Sequence, residues 1–228
     1  MADILVTGFE PFGGDDRNPS QEIARNLDGR SIGGLGVAGR VLPVSMRRFP
    51  EALRAVLDET RPRLILSLGL AGGETMIRIE RYGVNLADFP IADNDGNRKL
   101  DQPLAPRGPD AISTTLPNRA IHDAVLAAGI PARLSNTAGT YLCNACIYLT
   151  GQEIAARQWD ARFGLIHLPY LPEQVAALLA GPKAGRQAEQ VASMALDTMT
   201  RAVETAIATA HAAAAASPAV KADRRATS

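Results

Sequence analysis

The sequence predicts an α/β fold: a three-layer α/β/α sandwich around a twisted, largely parallel mixed sheet. Three observations carry that expectation. Short β-type apolar runs alternate with amphipathic helical stretches along most of the chain, the pattern of strands linked through helices. The runs Ile4–Thr7 and Arg63–Leu68 are apolar in the manner of buried strands. The junctions carry capping and turn residues, Asn18-Pro19-Ser20 being the clearest.

Each element follows from local chemistry. Ile4–Thr7 is a strand, and the Gly8–Gly14 loop after it leads to Asn18, which can cap a helix. Pro19 suits the first turn of that helix, and Ile23, Ala24 and Leu27 have its spacing. A strand is expected near Val37–Val44, then a helix over Phe49–Asp58 with Leu53, Val56 and Leu57 on one side. Arg63–Leu68 is a central strand ending at Gly69. Met76–Leu86 alternates as a strand or hairpin with Arg78, Glu80 and Asn85 among its polar positions.

Asp93–Pro109 is a long loop rich in Asp, Asn, Gly and Pro, of a length that usually serves function or assembly. Beyond it the pattern gives a helix over Pro117–Ala128, a strand over Ala132–Ser135, a helix over Cys143–Arg157 and a strand over Arg162–Leu168. Glu173–Ala180 and a long Arg186–Ala210 are the closing helices. With no repeat and no linker, residues 1–210 are expected to form a single domain. The Ala-rich segment 211–228 is expected to be a frayed or disordered tail.

Composition narrows the function. The 228 residues hold 24 basic and 24 acidic side chains, so there is no cationic excess with which to bind nucleic acid. No apolar stretch approaches the roughly 20 residues needed to cross a bilayer. The Met1–Val6 start reads as a first strand and not as a signal peptide, so a cytoplasmic protein with reduced thiols is expected. The chain has 3 histidines and 2 cysteines, which leaves few choices for catalysis.

Ligands of open α/β sheets bind at the carboxyl ends of strands, which directs attention to two junctions. Cys143 follows Ser135–Leu142 where a helix begins, and the free N–H groups and peptide dipoles there favour a thiolate and can stabilise an oxyanion. His167 ends the apolar run Phe163–Ile166. Together, from adjacent strand ends, they make a nucleophile and base. Glu80, an acid among β-formers, is a candidate to orient the imidazole, although it could instead pair with Arg78 or Arg81 in a structural network.

The other candidates have plainer readings. Cys146 faces Ile147 and Leu149 as a small core residue, and His122 and His211 read as surface groups. Cys143-Asn144-Ala145-Cys146 matches the spacing of a redox dithiol, but no aromatic residue immediately precedes it in the thioredoxin manner. Two cysteines cannot build a four-thiolate zinc site, and histidines with ligand spacing are absent, so no metal is expected. Gly8–Gly14 lacks the dinucleotide and phosphate-loop patterns. Its Phe9 and Phe12 suit an apolar pocket wall or the core.

Several of these strings occur together in a recognisable order. Val6–Gly14 with Asn18-Pro19-Ser20, Ile79-Glu80-Arg81 through Asn85 to Asp93-Asn94, Ser135–Gly139 to Cys143-Asn144, and His167–Pro172 resemble the pyroglutamyl peptidase I family of cysteine peptidases over roughly the first 200 residues. The resemblance implies cofactor-free hydrolytic removal of an N-terminal pyroglutamyl (5-oxoproline) residue from peptides through a thioester. It maps a catalytic triad onto Cys143, His167 and Glu80 and a lactam pocket onto Phe9 and Phe12, with Asn18 and Leu70 as further substrate-binding positions. It also implies assembly into dimers or tetramers. Pro90 stands where many members carry Arg, Leu70 where many carry Gln, and Glu74 where many carry Arg. The competing functions are a non-catalytic lactam binder on the same scaffold and, from the cysteine spacing, a thiol–disulfide oxidoreductase.

Overall fold

The computed structural model describes residues 2–181 and 190–216. In chain order its elements are β1 (Ile4–Phe9), α1 (Pro19–Leu27), β2 (Ser31–Ile32), β3 (Leu35–Leu42), α2 (Phe49–Thr60), β4 (Leu64–Leu70), β5 (Ile77–Glu80) and β6 (Tyr82–Val84). Then come β7 (Ala111–Ser113), α3 (Asn118–Ala127), β8 (Ala132–Ser135), α4 (Leu142–Arg157), β9 (Arg162–Leu168), α5 (Pro172–Ala180) and α6 (Leu196–Ala216). Seven strands form one sheet in the order β2-β3-β1-β4-β9-β5-β8.

Strands β3, β1, β4 and β9 run parallel, whereas β5 pairs antiparallel with β9 and carries β8 parallel to itself. The mixed sheet is covered on both faces. Period-two alternation sends Ile4, Val6, Leu64, Leu66, Ile166 and Leu168 to a core shared with α1, α3 and α6. It sends Leu5, Ile65, Phe163 and Leu165 to a second core shared with α2 and α4. The expected three-layer sandwich is therefore present. The same alternation has a consequence for chemistry: Ile77 and Ile79 join the first core, so Arg78 and Glu80 face the α4 layer, and so does His167.

Three details differ from the sequence reading. Met76–Leu86 is not a hairpin; β5 stays in the main sheet while β6 pairs with β7 in a separate two-stranded sheet. The last helix does not span Arg186–Ala210. It begins at Leu196, because Ser193 bridges to Tyr170 and Met194 N–H donates to the Tyr170 carbonyl at 2.9 Å, which commits that backbone to extended pairing. It then continues to Ala216, through the start of the segment expected to fray, since alanine is the strongest helix former. The other expected residues of that helix, 186–189, and residues 217–228 of the tail lie outside the described residues.

The loop after β1 and the segments around residues 45 and 93–97 are tied to one another by side chains. Asn18 caps α1 by accepting from Ser20 N–H at 3.0 Å, and Ser20 Oγ in turn accepts from Phe9 N–H at 3.0 Å. Close packing at Gly8, where an added Cβ would lie 2.1 Å from the Ser20 carbonyl oxygen, makes this bond possible. Asn94 Nδ2 donates to the Pro11 carbonyl at 2.8 Å. Asp93 caps its own turn through Asp95 and Asn97 N–H and accepts from Met46 N–H at 2.9 Å. Residues 93–97 thus hold both the first loop and the segment before α2.

Asp95 completes that clamp by accepting from Arg48, from Ser45 Oγ at 2.8 Å and from Arg47 at 2.9 Å. Its carboxyl is drawn down to about 2, chiefly by the Arg48 and Ser45 hydrogen bonds. A carboxyl lowered by folding stabilises the fold above its unfolded value and loses that contribution as pH falls through the folded one. Melting temperatures of the parent should therefore fall between about pH 4 and about pH 2, in part through this site. Asp95→Asn should melt lower at neutral pH and lose less over the same acid range. An identical acid slope in the two proteins would refute the assignment.

Candidate active site

A pocket of about 560 Å³ opens between the first loop, the segment after β4, the start of α4 and the end of β9. Cys143, His167, Phe9, Phe12, Leu70 and Tyr141 all contribute to its wall. Sequence placed the first five there.

His167 is the penultimate residue of β9, buried to 4% exposure, and its Nδ1 lies 2.7 Å from Oε1 of Glu80, which has no exposure at all. The antiparallel register explains the meeting. Arg78 stands opposite His167 and Glu80 opposite Leu165, so Glu80 reaches the imidazole diagonally from the same face. An ionised carboxylate only accepts, so Nδ1–H donates and Nε2 is left free toward the pocket. Glu80 does not choose between imidazole and guanidinium. Arg78 Nη2 lies 3.0 Å from the same Oε1.

The thiol arrives by a different route from the one expected. The sequence reading put Cys143 and His167 at the carboxyl ends of two adjacent strands. In the structure β8 runs opposite to β9, with β5 between them. Residues 136–141 connect the end of β8 to α4 and line part of the pocket, so Cys143 reaches His167 through this connection and not from a neighbouring parallel strand. Asn144, fully buried beside Cys143, locks the helix start: its Oδ1 accepts from Val84 N–H at 2.7 Å and its Nδ2 donates to the Val84 and Leu86 carbonyls at 2.9 Å each.

Gly69 creates the space in which thiol and imidazole meet. A Cβ built there would lie 2.5 Å from Cys143 Sγ, 3.0 Å from Cδ2 and 3.2 Å from Nε2 of His167. Sulfur and Nε2 thus border one small volume, without a hydrogen bond between them in this geometry. Catalytic hydrogen bonds are commonly open in a free enzyme and close on substrate. The helix terminus is expected to favour the thiolate, and the surroundings of Cys143 work in the other direction. Burial pushes the Cys143 thiol well up, nearby Cys146 and Glu80 push it further, and Arg78 opposes them. A thiol pushed up in this way needs a base to take its proton.

The other expected positions divide. Phe9 stacks on Phe49 with ring centres 5.9 Å apart, so it serves core and pocket at once. Phe12 packs 5.9 Å from Tyr141. Leu70 and Pro90 are both apolar wall. Asn18 is corrected: it lies outside the wall, fully buried, with Oδ1 on Ser20 and Nδ2 donating to the Glu10 carbonyl at 3.2 Å. Its influence on the pocket passes through the loop bearing Phe9 and Phe12. Cys146 faces the core, its thiol 3.3 Å from Ser67 Oγ. His122 pairs with Asp123, well away from the pocket wall.

Sequence reasoning missed Tyr141, Arg78 and Asp15 as pocket residues, and Gly69 as the point of close approach between Cys143 and His167. Tyr141 packs edge-on against Phe89 at 4.7 Å and donates to the Ala92 carbonyl at 3.2 Å. Burial raises its phenol to about 12, so it stays protonated. An aromatic residue two before the candidate nucleophile was the available signal. Asp15 puts a carboxyl on a wall expected to be apolar; burial raises it, and Gln174 Nε2 donates to it at 3.2 Å. Among the described residues no cluster of His, Cys, Asp and Glu could hold a metal.

A three-layer α/β scaffold that sets a thiol, an imidazole and a buried carboxylate around one pocket defines the class of thiol-dependent hydrolases. Comparison with known proteins is more specific. The pyroglutamyl peptidase family model matches residues 2–213, and the chain belongs to that family. It is 43% identical over 210 residues to the pyrrolidone-carboxylate peptidase of Escherichia fergusonii, covering 92% of this chain and 93% of that one. The pyrrolidone carboxyl peptidase of Thermococcus litoralis superposes with a TM-score of 0.87 at 38% identity, over 95% of this chain and 96% of that one. A variant of the Pyrococcus furiosus enzyme gives 0.88 at 40% identity, over 92% and 99%.

The Gly69 geometry yields a direct test. Gly69→Ala should lower kcat/KM on a pyroglutamyl amide by at least about a hundredfold, since an ångström of misplacement at a reacting pair has that effect. The fold should persist by circular dichroism. Activity within a few-fold of the parent would mean that thiol and imidazole do not meet at Gly69.

Proposed function

We propose that this chain is a cysteine exopeptidase that removes N-terminal pyroglutamate from peptides, with Cys143 as nucleophile, His167 as base and acid, and Glu80 as the group that orients the imidazole. The observation that carries this reading is the convergence of the Cys143 sulfur and His167 Nε2 at Gly69, with Nδ1 anchored on Glu80 at 2.7 Å. The family supplies the substrate class. A pyroglutamyl terminus has no ammonium, since the lactam has consumed it. Phe9, Phe12, Leu70 and Pro90 suit a neutral ring.

The steps follow from the geometry. His167 Nε2 takes the Cys143 proton as sulfur attacks the carbonyl joining pyroglutamate to the next residue. The oxyanion faces backbone N–H groups at the start of α4, where Tyr141 provides no side-chain cap to occupy them. Collapse of the tetrahedral species breaks the C–N bond as the imidazolium protonates the departing amine, leaving a thioester on sulfur. Water, deprotonated by His167, then releases pyroglutamate and restores the thiol. Glu80 stabilises the imidazolium in both halves of the reaction.

A homo-oligomeric, cytoplasmic enzyme completes the proposal. The two cysteines are free thiols, in keeping with a reducing compartment, and no described helix is long and apolar enough to cross a membrane. The oxidoreductase reading is disfavoured because Cys146 is fully buried against Ser67.

Purified protein under reducing conditions should release amine from a pyroglutamyl amide. Cys143→Ala should abolish turnover while 2-pyrrolidone binding persists, and Cys146→Ala should leave kcat within a few-fold of the parent. Failure of the parent to turn over would refute the peptidase, and equal damage from both substitutions would revive the dithiol reading.

A further inference from the structure

Arg78 is buried to 14% side-chain exposure, lines the pocket and makes no contact that the three-residue mechanism requires. Its guanidinium is nevertheless held from several sides. Nη2 lies 3.0 Å from Glu80 Oε1, donates to the Thr137 carbonyl at 2.6 Å and reaches Ser135 Oγ at 3.2 Å. Nη1 meets Glu74 Oε1 at 2.9 Å, and Glu74 is held in turn by Arg133 at 3.0 Å. Although burial works against the charge of Glu74, Arg133 and Arg78 outweigh it and keep the carboxyl below its ordinary value. Charges of alternating sign therefore run Arg133, Glu74, Arg78, Glu80 from β8 to β5 and end at the His167 imidazole on β9.

We propose that Arg78 is a positioning residue for the triad, which sets the reactivity of Cys143 by holding Glu80 as a charged acceptor for His167 and tying the triad to the 135–137 segment that leads into α4. The inference rests on the triad assignment above and extends it by one residue. The physical need is plain. To accept the Cys143 proton the imidazole of His167 must be neutral, a neutral ring cannot balance a carboxylate with no solvent exposure, and Oε2 of Glu80 has no partner among the described residues. Arg78 is the cation in contact. With it in place, Glu80 accepts from Nδ1–H and leaves Nε2 free to take a proton from sulfur. Without it, a proton shared onto the carboxyl would turn Glu80 into a donor and favour the tautomer with Nε2 already occupied. The Cys143 thiol would then face no acceptor.

The test compares parent, Arg78→Met, Arg78→Lys, Glu80→Gln and the Arg78→Met/Glu80→Gln double variant in the full chain. Two readouts are used: iodoacetamide alkylation of Cys143, located by peptide mass spectrometry, and kcat and KM on a pyroglutamyl amide. Arg78→Met should slow alkylation and lower kcat by about tenfold or more with KM within about threefold, and Arg78→Lys should recover most of both. In the Glu80→Gln background Arg78→Met should add less than about twofold, because the two groups act as one unit. Alkylation within about twofold of the parent in Arg78→Met, or losses that multiply in the double variant, would overturn the proposal. If Arg78→Met does not fold, Arg78→Gln replaces it with the same expectations. Alkylation needs no pyroglutamyl group, so a parent that fails to hydrolyse the amide yet shows this pattern refutes the substrate reading and supports the role of Arg78.

Discussion

A carboxylate with no access to water sits between β5 and β9, and the active-site arrangement follows from what that charge requires. Glu80 takes a donor from His167 at 2.7 Å and a cation from Arg78 at 3.0 Å on the same oxygen. Breaking one side of such a buried group commonly costs about 3–5 kcal/mol, because the remaining charge is left uncompensated. The requirement constrains His167 to one ring orientation and one tautomer, and it brings Arg78 inward from a strand position that would otherwise suit a solvated side chain. Orientation of the imidazole and burial of the carboxylate are two results of one interaction.

Sheet geometry delivers these groups together. Because side chains alternate along a strand, the residues that send Ile77, Ile79, Ile166 and Leu168 into the core below α1, α3 and α6 also send Arg78, Glu80 and His167 to the α4 side. A one-residue slip of β5 against β9 would reverse that placement, so the apolar core protects the register of the site. The antiparallel orientation of β5 supplies the diagonal contact from Glu80 to the imidazole. Cys143 then needs only a fixed helix start, which Asn144 secures through three bonds to the backbone of 84–86.

The pocket depends on loops far more than on the sheet. Phe9 and Phe12 are held through the Asn18–Ser20 pair beneath them and the Asp93–Asn97 turn beside them. This explains why Asn18 and Asp93-Asn94 belong to strings that resemble a catalytic family while lying off the pocket wall: their side chains hold the backbone that carries the wall. Loops that bear binding residues need such ties, since no ladder of strand hydrogen bonds restrains them. The pocket that results is apolar on most sides, with Asp15 and Arg78 as its charged margins.

Periodicity and composition by themselves determined the class of fold, nearly all the strands and helices, and the choice of Cys143 and His167 from very few candidates. Those features are local: apolar spacing, a capping Asn18-Pro19-Ser20 and a thiol before a helix are legible wherever they occur. The sequence also left Glu80 poised between His167 and Arg78, and the tertiary structure resolved this by giving it both. Only the fold decided that β5 and β8 run against β9, that Met76–Leu86 divides between two sheets, that α6 starts at Leu196, that Asn18 braces a loop, and that Gly69 is the point where sulfur and imidazole meet. Each is a matter of chain direction or of close approach between distant segments. Strand direction leaves no mark on side-chain periodicity, and a missing Cβ has meaning only once its neighbours are in place.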